Sequence, residues 1–260
     1  MKKYKPNNLR NALIIEMHKL KSTNALKLSV ISGAFIPLIF FLYYMSDYQN
    51  FNNKELLNPW IRFLSDQFQN TAPFLLPTLI ILQCSLIAQI EHKINGFKFI
   101  FVQPISRVKI YISKLITVVF LLLITYIIFG ISLYLFGIIL GLTHEHFAFL
   151  EFKFPIKFFL NFVSATFIAN LAILGMQFWL SIKYKNFILP LGLGLVLLIT
   201  GLIVFRAKES FYFPYSYSLY AIYTDNPNLK WYPQIGLISL IYFLTITIIG
   251  CFQINRENIN

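Results

Sequence analysis

Long apolar stretches alternate with short polar segments along the whole chain. Six stretches of 18 to 27 mostly apolar residues can be distinguished. A bilayer core requires about 20 consecutive apolar residues per helix. The pattern therefore predicts an all-α integral membrane protein, built as a single domain over residues 1–260. The six predicted transmembrane helices cover residues 28–45, 71–90, 115–141, 158–182, 187–205 and 233–252.

The composition agrees with a membrane location. Hydrophobic residues make up 57% of the chain and charged residues only 12%, against about 25% charged residues in soluble domains. The net charge of +12 is also found in nucleic-acid-binding proteins, but here the basic residues stand between apolar stretches and not along one soluble face. Cys84 and Cys251 lie inside apolar stretches without a second cysteine nearby, so we expect both to be packing residues.

The charges are unevenly shared between the two sides that six spans define. The side with both termini carries 15 of the 22 Lys and Arg residues but only 3 of the 10 acidic residues. Loops rich in Lys and Arg stay in the cytoplasm. The sequence therefore predicts a multi-pass membrane protein with both termini in the cytoplasm.

A second pattern precedes the first span, at residues 8–21. Its apolar residues recur at helical spacing, and its charged residues include Glu16, Lys19 and Lys21. This spacing predicts an amphipathic helix lying in the cytoplasmic interface. The alternative is a solvated basic lead-in held near anionic lipid. The apolar set is Leu9, Ala12, Leu13, Met17 and Leu20.

The loop between spans two and three, residues 91–114, is the most informative polar segment. Gly96 permits a turn, Pro104 ends a helix, and Ser106 is suited to cap the next one. A short helix within 94–102 would carry Phe97, Ile100 and Phe101 as an apolar knob on a basic loop. Such a knob fits a groove on a soluble partner, but packing on the membrane surface is equally consistent with these residues.

Residues for catalysis are few. The phosphate-binding pattern GxxxxGK[ST] and the zinc pattern HExxH are both absent, and no catalytic residue, metal or cofactor is predicted for this chain. His144, Glu145 and His146 form a cluster that could ligate a metal, although a solvated loop is the commoner use of such residues. Within the spans, Asn161, Asn170 and Gln177 either hydrogen-bond between helices or line a substrate path.

Several motifs, taken in order, resemble the transmembrane subunits of ABC-2 type ABC transporters. One is the arrangement of an acidic residue that ends the second span, a basic stretch, Pro104-Ile-Ser106-Arg107 and a lysine that opens the third span. The segment Glu16 to Ser22 resembles the connecting helix of that family, and Phe213-Pro-Tyr-Ser-Tyr217 resembles its outer re-entrant region, here 206–232. The acidic and basic residues of the first motif are Glu91, Lys93, Lys98, Arg107 and Lys114.

The resemblance implies six transmembrane helices in a subunit that pairs with a second permease and with separate ATPase subunits. It makes the 91–103 loop the coupling helix and places ATP and Mg²⁺ on the partner. Among the family, this chain looks closest to small permeases of lantibiotic immunity and bacterial peptide export. The implied cargo is hydrophobic or amphipathic. The coupling residues are Glu91, Lys93, Gly96, Phe97, Lys98, Ile100, Phe101, Pro104 and Arg107.

Two other hypotheses remain consistent with the residues. A stand-alone channel or secondary transporter would be expected to bury ionisable residues at mid-membrane, and the predicted spans carry none away from their ends. A membrane enzyme acting on lipids would use His144, Glu145 and His146 as its site.

Overall fold

The computed structural model describes residues 9–21, 23–46, 58–93, 106–144, 147–222 and 232–256. Within these ranges the chain is helical and has no β-strand, as the apolar pattern predicts. Two 3₁₀ turns, Lys208–Tyr212 and Pro214–Ser216, and a π segment, Thr71–Leu75, complete it. The α-helices are α1 Leu9–Lys21, α2 Asn24–Ser46, α3 Pro59–Asn70, α4 Leu76–Lys93, α5 Arg107–Thr143, α6 Ile156–Lys183, α7 Ile188–Val204, α8 Tyr217–Tyr220 and α9 Tyr232–Arg256.

Five helical stretches are long and apolar enough to cross a bilayer, which confirms a multi-pass membrane protein. They are Asn24–Ser46, Pro59–Ile90, Arg107–Thr143, Ile156–Lys183 and Gln234–Arg256. The sixth predicted span, 187–205, corresponds to α7, an apolar helix of 17 residues. At 1.5 Å per residue α7 is about 25 Å long, close to the lower limit for crossing a 30 Å hydrocarbon core. A sixth crossing therefore stays a prediction.

The second span begins earlier than the apolar pattern predicts. Residues 46–70 were expected to form a connection, but α3 occupies Pro59–Asn70 and continues through the π segment into α4. The Asn58 side chain accepts a hydrogen bond from the Trp60 backbone N–H, and Pro59 occupies the first helical turn. Polar residues lower the mean hydropathy of α3, although one face of the helix is buried. That face carries Trp60, Phe63, Leu64 and Phe68.

The helices bring the most basic segments together at one end of the bundle, here called the basic end. The Trp179 Nε1–H near the end of α6 donates to Gln253 Oε1 near the end of α9, at 2.7 Å. The rings of Tyr111, in the first turns of α5, and Phe178 of α6 are 5.0 Å apart. Helix α1 packs against the same part of α5. The fold thus assembles the segments that the charge distribution assigns to one side, while which side this is remains a prediction.

The opposite end, here called the aromatic end, is held by ring contacts. The Trp60 Nε1–H donates to the Phe149 backbone oxygen at 3.0 Å, and its ring stacks on Tyr134 of α5 with centroids 5.7 Å apart. A Cβ at Gly137 would overlap the Trp60 ring, so only glycine admits the tryptophan at this point on α5. The Tyr44 hydroxyl donates to Asp66 at 2.8 Å, tying α2 to α3.

After α7 the chain folds back into the bundle. The two 3₁₀ turns and α8 pack against α6 and α7. Tyr215 is fully buried against Gly201 of α7, where an added Cβ would lie 2.7 Å from the Tyr215 backbone oxygen. This segment covers 206–222 of the predicted re-entrant region 206–232, and residues 223–231 lie outside the described residues.

Candidate functional site

A buried ion pair joins α1 to α5 at the basic end. Lys114 Nζ lies 3.0 Å from Glu16 Oε1 and 2.9 Å from Glu16 Oε2. Lys114 is 0% exposed and Glu16 is 4% exposed. Lys19 Nζ, one helical turn further along α1, lies 3.1 Å from Glu16 Oε1. Burying a charge is unfavourable unless it is paired and hydrogen-bonded, and the two lysine contacts supply this pairing for the carboxylate.

The sequence of α1 explains why the carboxylate points inward. Ala12, Glu16 and Leu20 recur every four residues, so they lie on one face of the helix. All three are buried. Glu16 therefore lies on the apolar face of α1, opposite the exposed Ile14. A helix is thus observed at the predicted position, as α1, whereas its amphipathic character and its location in the membrane interface remain predictions.

Helix α5 carries this pair close to the predicted coupling loop. It begins at Arg107, so Lys114 lies two turns into the helix. Ser106 occupies the N-cap position, as predicted, but its side chain makes no capping hydrogen bond. At 37 residues, α5 is about 55 Å long and contacts α1, α2, α4 and α9.

Most of the predicted coupling residues lie outside the described part of the chain. Helix α4 ends at Lys93, which places the backbones of Glu91 and Lys93 in its last turn, but their side chains are not among those described. Arg107 is half-buried at the start of α5. The short helix predicted within 94–102 therefore stays a prediction. The residues outside the described ranges are Gly96, Phe97, Lys98, Ile100, Phe101 and Pro104.

The three candidate substrate-path residues of α6 have different surroundings. Asn161 is exposed. Asn170 is buried, and its Nδ2–H donates to the Thr166 backbone oxygen of its own helix at 2.8 Å. Gln177 is buried, and its Nε2–H donates to the Pro190 backbone oxygen of α7 at 2.7 Å. The structure does not bring the three onto one open surface, and their role in a path stays a prediction.

Gln177 also holds the segment that folds back after α7. Its Oε1 accepts a hydrogen bond from the Tyr215 hydroxyl at 3.2 Å. Burial raises the pKa of the Tyr215 phenol above its usual range, so the hydroxyl keeps its proton and remains a donor. A single amide thus links α6, α7 and the returning segment, which is the interhelical bonding expected of a polar residue within a membrane.

The structure does not show the other candidates for chemistry gathered into one site among the described residues. His144 is the C-cap residue that follows α5, and its ring lies 6.1 Å from that of Phe147 between centroids. Glu145 and His146 lie outside the described residues. Among the residues that the structure does describe, no group of three His, Cys, Asp or Glu side chains could hold a metal.

Sequence reasoning named both members of the ion pair but did not pair them. Glu16 and Lys114 are 98 residues apart, and nothing local relates them. A usable signal was present, because a lone carboxylate on the apolar face of a helix needs a buried cation. The Tyr215–Gln177 contact had no comparable signal.

Comparison with known proteins agrees with this architecture. A family model described as ABC-2 family transporter protein matches residues 12–201, from α1 through most of α7. No curated protein matches the chain in sequence. The match covers well over half of the 260 residues and includes the ion pair. The chain therefore belongs to the ABC-2 family of transporter membrane proteins.

Proposed function

We propose that this chain is the transmembrane permease subunit of an ATP-driven ABC exporter. Membership of the family implies association with ABC ATPase subunits, and the chain has no phosphate-binding motif of its own. ATP and Mg²⁺ are then bound by the partner, and a second permease subunit, identical or related, completes the transporter. The basic end faces the cytoplasm of a bacterial cell.

The observation that carries the proposal is the Glu16–Lys114 pair. It fixes α1 to the first two turns of α5, the helix that directly follows the loop 94–105. ATP-driven closure of the ATPases would move the loop, and α5 and α1 would then move together because breaking their contact exposes a buried charge. For such coupling, the ATPase must favour one membrane conformation over the other.

The proposed cargo is a hydrophobic or amphipathic molecule, with antimicrobial or cytolytic peptides as the first class to test. Two features favour it. The chain contains 28 Phe and 15 Tyr residues, and the described spans present apolar side chains both outwards and between the helices. Charged cargo is disfavoured, since a charge inside the bilayer is costly without a partner.

The test is to purify the chain from cells and identify an associated ATPase with Walker motifs. Phe97→Asp and Phe101→Asp, each in the predicted coupling helix, should abolish cargo-stimulated ATP hydrolysis while the protein stays folded. Phe152→Asp, in the loop at the aromatic end, is the matched control and should leave hydrolysis unchanged. Full stimulation in both loop variants contradicts the proposed coupling. Solute flux through the purified chain alone in liposomes would instead favour a channel or secondary transporter.

A further inference from the structure

A cavity of about 150 Å³ lies between α2, the π segment with α4, and α5. Gly33 sets its position, because α2 approaches α5 so closely there that an added Cβ would lie 2.7 Å from the Thr125 backbone oxygen. Helix α2 therefore leans on α5 and leaves a gap on the side of α4. Phe35, which is 51% exposed, stands at the edge of this gap. The cavity is thus open sideways, toward the space that the bilayer fills.

The interior of the cavity is effectively apolar although several hydroxyl groups border it. The Ser32 hydroxyl donates to the Leu28 backbone oxygen at 2.7 Å, and the Thr125 hydroxyl donates to the Leu121 backbone oxygen at 3.1 Å. The Thr71 hydroxyl likewise donates to a backbone oxygen of its own helix. Of the four side-chain hydroxyl groups that border the cavity, only that of Thr78 has no hydrogen-bond partner among the described residues. One such group does not supply the two to four polar partners that a water molecule needs.

Size and depth indicate what fills the space. A space of about 150 Å³ is large enough for an apolar molecule of the size of benzene. Ser32 is eight residues into α2, about 12 Å along that helix, and so at the depth of lipid chains. Leu76 and Leu79 form the inner wall and are only 6% and 5% exposed. The most abundant apolar group at this depth is the acyl chain of a membrane lipid.

We propose that this cavity is a binding site for one acyl chain of a phospholipid. The chain enters between α2 and α4 and packs against Leu76 and Leu79, next to the π segment. The site follows from the bilayer position of the helices and does not depend on the direction of transport or on the ATPase. It is therefore testable on the permease alone.

The experiment uses the full chain in vesicles of phosphatidylcholine that carries a diazirine in the middle of one acyl chain. After photolysis, adducts are located by peptide mass spectrometry. Bulk lipid reaches exposed residues such as Phe35, but only a chain inside the cavity reaches Leu76 or Leu79. We expect adducts at one or both of these leucines in the unmodified protein. Adducts confined to exposed residues overturn the proposal.

A second experiment repeats the labelling with variants whose side chains fill the cavity. Thr78 borders the cavity, and its hydroxyl is buried without a hydrogen-bond partner among the described residues, so Thr78→Phe fills the space at no loss of a bond. Labelling at the two leucines should fall at least fivefold. Thr200→Phe, on the exposed face of α7, is the control and should leave labelling unchanged. Ser32→Leu fills the cavity from α2 if Thr78→Phe does not fold. Undiminished labelling in a folded cavity-filling variant overturns the proposal.

Discussion

Neutralising one member of the Glu16–Lys114 pair should destabilise the protein more than the loss of any single contact on its surface. Glu16→Gln keeps the shape of the side chain and removes its charge. Lys114, 0% exposed, would then be a buried ammonium that has lost the carboxylate of Glu16. Breaking a buried pair in this way costs about 3–5 kcal/mol. At about 2–4 °C per kcal/mol for a chain of this size, the melting temperature should fall by about 6–20 °C.

The double variant Glu16→Met with Lys114→Met distinguishes the energy of the pairing from the effect of each buried charge by itself. With both side chains apolar, neither charge of this pair remains buried, and replacing a buried pair by apolar residues is often nearly neutral. We therefore expect the double variant to be more stable than either single variant, which gives a coupling energy of several kcal/mol in a double-mutant cycle. The exposed carboxylate of Glu209 provides the control, since Glu209→Gln should change stability by less than about 0.5 kcal/mol.

The assay is thermal unfolding of the detergent-solubilised protein followed by tryptophan fluorescence, with ATPase stimulation as a second readout. If the pair also transmits motion, the double variant should fold well and yet stimulate the ATPase poorly. A Glu16→Gln variant as stable as the unmodified protein would refute the argument, because it would mean that water solvates the carboxylate. Additive losses in the double variant would equally refute a direct pairing.

Three further predictions use the same unfolding assay. Gln67 is fully buried, and neither atom of its amide has a hydrogen-bond partner among the described residues. Gln67→Met should therefore stabilise the protein by about 1–3 kcal/mol, while the control Gln69→Met, at an exposed site, should not. A loss of stability in Gln67→Met would mean that the amide is hydrogen-bonded. Tyr215→Phe leaves Gln177 Oε1 without its donor and should cost about 1–3 kcal/mol, and no loss would contradict this hydrogen bond. Gly201→Val drives a side chain against the Tyr215 backbone and should cost about 1–3 kcal/mol or more, whereas a neutral result would mean that the returning segment packs elsewhere.

The fold was predictable where it depends on local composition. A run of apolar residues must leave water wherever its neighbours lie, so α2, α5, α6 and α9 follow from hydropathy alone. The helix α3 was missed because hydropathy averages over all faces of a helix. Its apolar residues Trp60, Phe63, Leu64 and Phe68 recur at helical spacing between polar ones, a pattern that periodicity detects and mean hydropathy does not.

The π segment lay beyond local reasoning for a different reason. Pro73 and Pro77 supply no N–H, but their presence does not specify how the backbone responds. The Leu76 N–H bonds to the Thr71 carbonyl, five residues back, and the helix thereby accommodates an extra residue within a turn. This response of the backbone is visible only in the structure.

The sequence alone determined that this chain is a helical membrane protein with its positive charge concentrated on one side, because hydropathy and charge act residue by residue. It also placed Glu16 on the helix before the first span, Lys114 at the start of the third span and Gln177 within the fourth. Only the tertiary structure decided that Glu16 meets Lys114 across 98 residues and that Gln177 bonds Pro190 and Tyr215. A buried polar group requires a hydrogen-bond or ionic partner, but which partner it has depends on the helix faces that pack together.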